Sequence, residues 1–238
     1  MTELYLIRHG EAVANVTPIV AGMQGDVGLT PLGVAQAHAL RDRLATTHEI
    51  DADVLIASTL PRARQTAEII APALGLPIIF EDDVQELRPG AADGMTVSEL
   101  KERFGLPDFR TEPYRPLSPG GEFWGQFVLR VAITLDRIMR EHAGKSIVIV
   151  CHGGVIDASL ITLLGLPTLI PPFARLDTHN TSITHWRCQQ DDDGELIWTL
   201  LGYNDDVHLR AVGYNQHVSW SEAEEHPAVP LPTEDDGD

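Results

Sequence analysis

The chain has 238 residues, 43% of them hydrophobic, which is enough to bury a sizeable core and excludes wholesale disorder. Its formal net charge of -18, from 17 Lys and Arg against 35 Asp and Glu, argues against general binding to nucleic acid or to an anionic membrane. The lack of a long apolar run and of a signal-peptide pattern, with only two cysteines, predicts a cytoplasmic protein without a disulfide framework.

The hydrophobic pattern predicts strands that alternate with helices along most of the chain. Thr30 followed by Pro31 is typical of a helix start, because threonine caps the first turn and proline fits its first position. In chain order the predicted elements are a strand at 4–7, a helix at 31–48, a strand at 54–57, a helix at 61–74, a strand at 77–80, a helix at 97–104, a helix at 122–142, a strand at 146–150 and a helix at 155–164. Two further strands, at 182–188 and 195–201, flank an acidic turn and form a predicted hairpin.

This alternation predicts an α/β fold with a doubly wound, mostly parallel sheet, helices on both faces and the hairpin as an antiparallel edge. Residues 1–218 are predicted to form a single α/β domain. Within it, residues 91–121 are rich in proline and glycine and are interpreted as a lid-like insertion. Residues 219–238 contain seven acidic residues and no lysine or arginine, and we interpret them as an acidic C-terminal tail without a fold of its own.

Polar side chains follow three of the predicted strands. Arg8 and His9 follow the first strand, and Arg62 lies early in the helix after the second. His152 follows the strand at 146–150. Because ligands in an open α/β sheet collect at the carboxyl ends of the strands, we expect these side chains to meet. Guanidinium groups suit phosphate oxygens, and an imidazole nitrogen can attack phosphorus, so the sequence predicts a phosphoryl site.

Six segments of the chain form a recognisable series. They are LIRHGEAVAN (6–15), LTPLGVAQA (29–37), STLPRARQTAEI (58–69), SPGGE (118–122), VIVCHGGVI (148–156) and NDDVHL (204–209). Their order is typical of the histidine phosphatase superfamily, and the chain resembles its phosphoglycerate-mutase-like branch over about residues 4–209. The resemblance implies a phosphoglycerate mutase-like fold.

The resemblance also implies roles for particular residues. His9 would accept the phosphoryl group and become phosphohistidine. The groups that would hold the phosphoryl oxygens are Arg8, Asn15, Arg62, His152 and the backbone of Gly153. The scheme requires no metal ion, and we expect no other cofactor.

A general acid is needed to protonate the leaving group. The superfamily takes this acid from the segment after the third strand, where Glu86 in VQELRPG is the matching candidate. The family often follows its acid with a turn of tryptophan, an acidic residue and glycine, whereas this chain has Ala92-Asp93-Gly94. Because of that departure, other carboxylates remain rivals for the role, namely Glu81, Asp82, Asp83 and Asp93.

Two segments are candidates for contact with the rest of the substrate. The lid-like insertion contains aromatic residues that either select an organophosphate with an apolar or ring portion or only pack the lid onto the domain. The dipeptide Gln24-Gly25 either lines the mouth of the site or forms a plain turn. The predicted substrate contacts are Gln24, Gly25, Arg110, Tyr114 and Arg115.

The resemblance leaves the reaction open between hydrolysis and transfer of phosphate. Glycolytic mutases of the family carry a long insertion with extra basic residues, and the shorter segment here has no adjacent arginine pair. This difference favours a phosphatase that hydrolyses small phosphate monoesters. The alternatives are a phosphoglycerate mutase-type transfer and a non-catalytic sensor of a phosphorylated ligand. We expect a small phosphorylated substrate as the partner, with neither nucleic acid nor a membrane; a homodimer is compatible with the sequence.

Overall fold

The structure, a computed structural model, describes residues 1–172, 174 and 176–213. The predicted acidic tail at 219–238 lies outside these residues. The strands are β1 (Thr2–Arg8), β2 (Val54–Ser58), β3 (Ile78–Glu81), β4 (Ser146–Cys151), β5 (Ile183–Gln190) and β6 (Leu196–Asp205). The helices are α1 (Val13–Val16), α2 (Pro31–Thr47), α3 (Pro61–Leu74), α4 (Val97–Phe104), α5 (Trp124–Glu141) and α6 (Gly153–Leu163). Within the described part of the chain, every helix is too short or too polar to span a bilayer.

The strands form a six-stranded sheet in the order β3-β2-β4-β1-β5-β6. Strands β3, β2, β4 and β1 pair in parallel, whereas β5 runs antiparallel to both β1 and β6. The predicted mostly parallel sheet with an antiparallel edge is therefore confirmed.

The helix boundaries follow local sequence signals where those signals are strong. The Thr30 hydroxyl accepts a hydrogen bond from the Gly33 N–H (3.0 Å), which caps α2 at the predicted residue. Helix α6 begins at Gly153, two residues before the predicted start. Glycine is a poor helix former, so the pattern of apolar residues could not mark Gly153 and Gly154 as helical.

The sheet is covered by helices on both faces, as the alternation predicts. Side chains of a strand alternate between faces, and Leu4 and Leu6 of β1 join the cluster formed with α5 and α6. Ile7 points to the opposite face and packs with residues of α2 and α3. Both clusters are apolar and buried, so the polar residues that follow the strands are held at the edge of a rigid sheet.

The register of the central strands brings the two histidine segments together. Arg8 at the end of β1 lies opposite Cys151 at the end of β4. The next residue, His9, donates its backbone N–H to the Cys151 carbonyl (3.0 Å). His9 and His152 therefore emerge side by side, 143 residues apart in the chain.

Candidate active site

His9 is held with one ring nitrogen available as a nucleophile. Its Nδ1 lies 2.7 Å from the Gly10 carbonyl oxygen, which can only accept, so Nδ1 carries the proton. Its Nε2 is therefore unprotonated, and its lone pair accepts a hydrogen bond from Arg62 Nε (3.1 Å). Burial, with Arg62 and Arg8 nearby, holds the pKa of His9 well below its ordinary value. The imidazole is therefore neutral at neutral pH.

Arg62 is itself fixed by a buried carboxylate that the sequence did not reveal. Asp26 accepts from Arg62 Nη1 (2.8 Å) and from the Arg62 backbone N–H (3.2 Å) through Oδ2. Its Oδ1 accepts from the Gly28 N–H (2.9 Å). Asp26 lies in an irregular loop and follows no periodic pattern; the one available signal was that a buried arginine needs a counter-charge.

Removing the Asp26 carboxylate is expected to weaken catalysis without removing any predicted phosphate ligand. A hydrogen bond to a charged group contributes about 1.5–3 kcal/mol, so Asp26→Ala should lower kcat/KM about tenfold to a hundredfold. Steady-state kinetics checks this, with Asp42→Ala as the control because Asp42 pairs with Arg41 on the exposed face of α2. Equal kcat/KM values for Asp26→Ala and the wild type would show that Arg62 needs no such support.

His152 occupies the N-cap position of α6 and faces His9, with 5.2 Å between the ring centroids. Its Nε2 lies 2.8 Å from the Ser58 hydroxyl, whereas its Nδ1 is buried and has no hydrogen-bond partner among the described residues. Burial is the main cause that holds the pKa of His152 well below its ordinary value, and Arg62 adds to it. A buried polar atom without a partner is costly, so Nδ1 is suited to contact a bound ligand.

The remaining predicted phosphate ligands surround the same space. Arg8 is buried, and its Nη1 donates to the Thr178 carbonyl. Gly153 is the first residue of α6, whose free backbone N–H groups favour an anion. Asn15 uses its Oδ1 to accept from the Ala12 N–H (2.9 Å), which leaves its Nδ2 as the donor group.

Glu86 is placed beside these groups. Its Oε2 accepts from the Gly154 N–H (3.0 Å), and its Oε1 accepts from the Leu87 N–H (3.0 Å). Any side chain at Gly154 would collide with this carboxylate, because a Cβ there would lie 2.2 Å from Oε1. The lack of a side chain at Gly154 thus gives the carboxylate its place at the start of α6.

The rival carboxylates are engaged elsewhere. Asp93 accepts from three backbone N–H groups, those of Gly22 (2.8 Å), Gln24 (2.9 Å) and Gly25 (2.9 Å), and so fixes the loop before Asp26. Glu81 pairs with Arg137, Asp82 accepts from the Thr59 hydroxyl and Asp83 pairs with Arg88. Among the described residues that line the cavity, Glu86 is the only carboxylate.

A cavity of about 310 Å³ opens above His9. Its described lining comprises Arg8, His9, Ala14, Asn15, Ile19, Val20, Ala21, Arg62, Glu86, Leu87, Pro89, Phe109, Leu117 and Gly153. All the predicted catalytic and phosphate-binding residues except His152 line this cavity. His152 lies directly beside His9.

The predicted substrate contacts are not in this lining. The backbone N–H groups of Gln24 and Gly25 are bound to Asp93, and Arg110 donates to the Pro172 carbonyl (2.7 Å). Tyr114 is 68% exposed and packs on the edge of Phe123. Arg115 pairs with Glu112. Phe109 is the lid aromatic that reaches the cavity, which spacing in an irregular segment could not indicate.

Asp157 of α6 lies one turn beyond Gly153, and its Oδ1 is buried without a hydrogen-bond partner among the described residues. Burial raises the pKa of Asp157 to about 7; nearby Glu86 adds to the increase, and Arg8 opposes it. The folded chain therefore keeps a proton on Asp157 at pH values where the unfolded chain has released it.

Asp157→Asn is expected to stabilise the protein at high pH. Below about pH 4 the Asp157 carboxyl is protonated in both the folded and the unfolded chain and does not affect the free energy of unfolding. Between about pH 4 and pH 7 the free energy of unfolding falls as pH rises, because only the unfolded chain releases the proton. The amide removes this penalty, so its advantage should grow by about 2–3 kcal/mol between pH 5 and pH 8. Urea denaturation at both pH values measures it; a difference independent of pH would contradict the assignment.

The comparison with known families identifies the family to which the chain belongs. A family model described as the histidine phosphatase superfamily (branch 1) matches residues 4–206. The chain belongs to this superfamily. The family predicted from the six sequence segments is therefore confirmed, and its structural relatives confirm the phosphoglycerate mutase-like fold.

Individual members of the superfamily carry different activities in their names. A probable phosphoglycerate mutase GpmB of Yersinia pestis is 32% identical over 217 residues, which are 88% of this chain and 95% of that protein. The solved structure of Bacillus stearothermophilus YhfR is 27% identical, with a TM-score of 0.72 over 88% of this chain and 100% of the other. An Entamoeba histolytica phosphoserine phosphatase in complex with 3-phosphoglyceric acid is 27% identical, with a TM-score of 0.68 and the same coverage.

Proposed function

We propose that this superfamily member is a phosphatase that hydrolyses small phosphate monoesters through a phosphohistidine at His9, with no need for a metal ion. The observation that carries the proposal is the neutral His9, whose Nε2 faces Arg62 in a cavity that also contains Glu86. A fixed tautomer, two arginines and one carboxylate are the groups that this chemistry requires.

In the first step, Arg62 Nε transfers its hydrogen bond from His9 Nε2 to a phosphoryl oxygen. The freed Nε2 lone pair attacks the phosphorus atom as the ester P–O bond breaks. The Glu86 carboxyl gives its proton to the leaving oxygen, which departs as an alcohol. Arg8 and Arg62 balance the charge on the three equatorial oxygens, and the N-terminus of α6 adds to their effect. The Gly10 carbonyl stays bonded to Nδ1–H and stabilises the phosphorylated ring.

In the second step, a water molecule replaces the alcohol beside Glu86. The Glu86 carboxylate removes a proton from the water as its oxygen attacks phosphorus, and the N–P bond breaks. Inorganic phosphate is released, and both His9 and Glu86 return to their starting states. The nearly complete burial of His9 limits access of other nucleophiles to the intermediate.

Hydrolysis is favoured over a mutase reaction by the surroundings of the cavity. A mutase must hold the carboxylate of its substrate while phosphate is returned, yet the described lining has no cation besides Arg8 and Arg62. The mutase reaction remains the second candidate because the Yersinia relative is named a probable phosphoglycerate mutase. A reducing, cytoplasmic setting belongs to the proposal, since Cys151 and Cys188 are buried free thiols.

The test is phosphate release from a panel of small phosphate esters in the presence of EDTA, run beside a mutase assay primed with a bisphosphate. We expect steady phosphate release with EDTA and no net isomerisation of phosphoglycerate. Isomerisation faster than phosphate release would identify a mutase. Binding of phosphorylated ligands with neither reaction would identify a sensor.

A further inference from the structure

The cavity above His9 is lined by a small set of charged or polar groups and by a larger set of apolar side chains. The charged or polar members are Arg8, His9, Asn15, Arg62 and Glu86. The other side chains that line the cavity are aliphatic or aromatic, namely Ala14, Ile19, Val20, Ala21, Leu87, Pro89, Phe109 and Leu117. We call this set of side chains the apolar wall. Because it makes up most of the lining, a phosphate ester held by Arg8 and Arg62 has mainly these side chains around its leaving group.

Three residues of the apolar wall, Ile19, Val20 and Leu117, belong to a well-packed part of the protein. Val20 and Leu117 are 3% and 6% exposed and form a small core cluster with Leu100 of α4. The Val20 backbone N–H donates to the Met95 carbonyl (2.8 Å), and Ile19 forms an isolated bridge with Thr96. The wall is therefore preformed, and the binding of an apolar group to it requires little reorganisation.

The arginines close to this wall in sequence are already engaged. Arg110, next to Phe109, donates to the Pro172 carbonyl (2.7 Å) and does not line the cavity. Arg88 contacts Asp83 and Gln85, and its neighbour on α5, Arg130, binds Glu122 (2.7 Å). Arg115 is bound to Glu112. A carboxylate on the leaving group would thus lose its hydration against apolar side chains, and the cations in the described lining, Arg8 and Arg62, are needed by the phosphoryl group.

We infer that the preferred substrates carry an uncharged, largely apolar leaving group, such as an alkyl-substituted phenol, and that phosphorylated carboxylic acids are poor substrates. This inference rests on the proposed phosphatase activity and specifies its substrate class. The cavity volume of about 310 Å³ lies near the lower end for ligand sites, which limits the leaving group to one ring or a chain of similar size.

A matched pair of esters tests the inference. 4-Isopropylphenyl phosphate and 4-carboxyphenyl phosphate have the same shape, but the carboxylate makes its phenol the better leaving group. A preference for the isopropyl ester therefore cannot arise from intrinsic reactivity. We expect its kcat/KM to be at least about tenfold higher, the range that a few apolar carbons provide in an apolar site.

Substitutions in the lid-like insertion test whether the apolar wall causes the preference for the isopropyl ester. Phe109→Arg places a cation at a half-buried position of the apolar wall and should shift the ratio of the two kcat/KM values toward the carboxylate by about tenfold. Tyr114→Arg adds the same charge to the same segment outside the lining, and the ratio should not change.

The possible outcomes distinguish the inference about the substrate from the phosphatase proposal. Faster hydrolysis of the carboxylate ester by the wild type would overturn the inference while the phosphatase proposal stands. A ratio that Phe109→Arg and Tyr114→Arg shift equally would overturn the assignment of the wall. Failure to hydrolyse either ester would overturn the phosphatase proposal and the inference together.

Discussion

His9→Ala protein is expected to lose at least about 10⁴-fold in phosphate release, since removing a covalent nucleophile costs this much or more in enzymes that use one. The substitution deletes Nε2, the nitrogen that Arg62 holds toward the cavity. It leaves Arg8, Arg62 and His152 in the protein, so binding of inorganic phosphate should persist. Phosphate release and phosphate binding, measured on the same preparation, check both halves of this expectation.

This variant needs a control for misfolding, because His9 is buried beside the central strands. His9→Asn keeps a polar group near the position of Nδ1, which can still donate to the Gly10 carbonyl. We expect it to be as inactive as His9→Ala, with a thermal midpoint close to that of the wild type. Substantial turnover by a folded His9→Asn protein would exclude His9 as the nucleophile.

Glu86→Gln is expected to slow catalysis by an amount that depends on the leaving group. For an alkyl phosphate, kcat/KM should fall about 10²–10⁴-fold, because the alkoxide cannot depart without a proton. For p-nitrophenyl phosphate, kcat/KM should fall far less, because its phenolate leaves unprotonated. The attack of water still requires a base in both cases, so p-nitrophenolate should appear in a burst followed by slow turnover.

Asp83→Asn is the matched control for Glu86→Gln. It removes a carboxylate from the same short segment, but one that pairs with Arg88 and does not line the cavity. Its kcat/KM should equal that of the wild type for both esters. If Glu86→Gln reduced kcat/KM for both esters equally, Glu86 would be acting on phosphate binding and the proton donor would lie elsewhere.

The charged residues of the site could be located from sequence because they follow the ends of predicted strands. His9 and His152 follow two runs of apolar residues, and parallel pairing of such runs brings their carboxyl ends to one edge. Arg62 lies in the first turn of α3, whose start is marked by Pro61. These positions depend on regular elements, which periodicity predicts well.

The loops around the site could not be predicted in the same way. Asp26 and Asp93 lie in irregular segments, where contacts between distant residues determine the geometry. The same limit applies to the lid, because Phe109, Tyr114 and the intervening residues have no periodic spacing. Phe109 lines the cavity whereas Tyr114 does not, and this depends on the path of an irregular segment that a sequence pattern does not record.

The most direct test of a phosphohistidine at His9 is the isolation of the phosphorylated enzyme. Glu86→Gln protein is mixed with p-nitrophenyl phosphate, quenched in alkali and digested, and the phosphorylated peptide is identified by mass spectrometry. The proposed mechanism predicts an acid-labile, alkali-stable phosphate on the peptide that contains His9. The same peptide from the double variant Glu86→Gln, His9→Ala should carry no phosphate. Phosphate on a different residue, or wild-type hydrolysis with inversion of configuration at phosphorus and no phosphorylated enzyme, would contradict it.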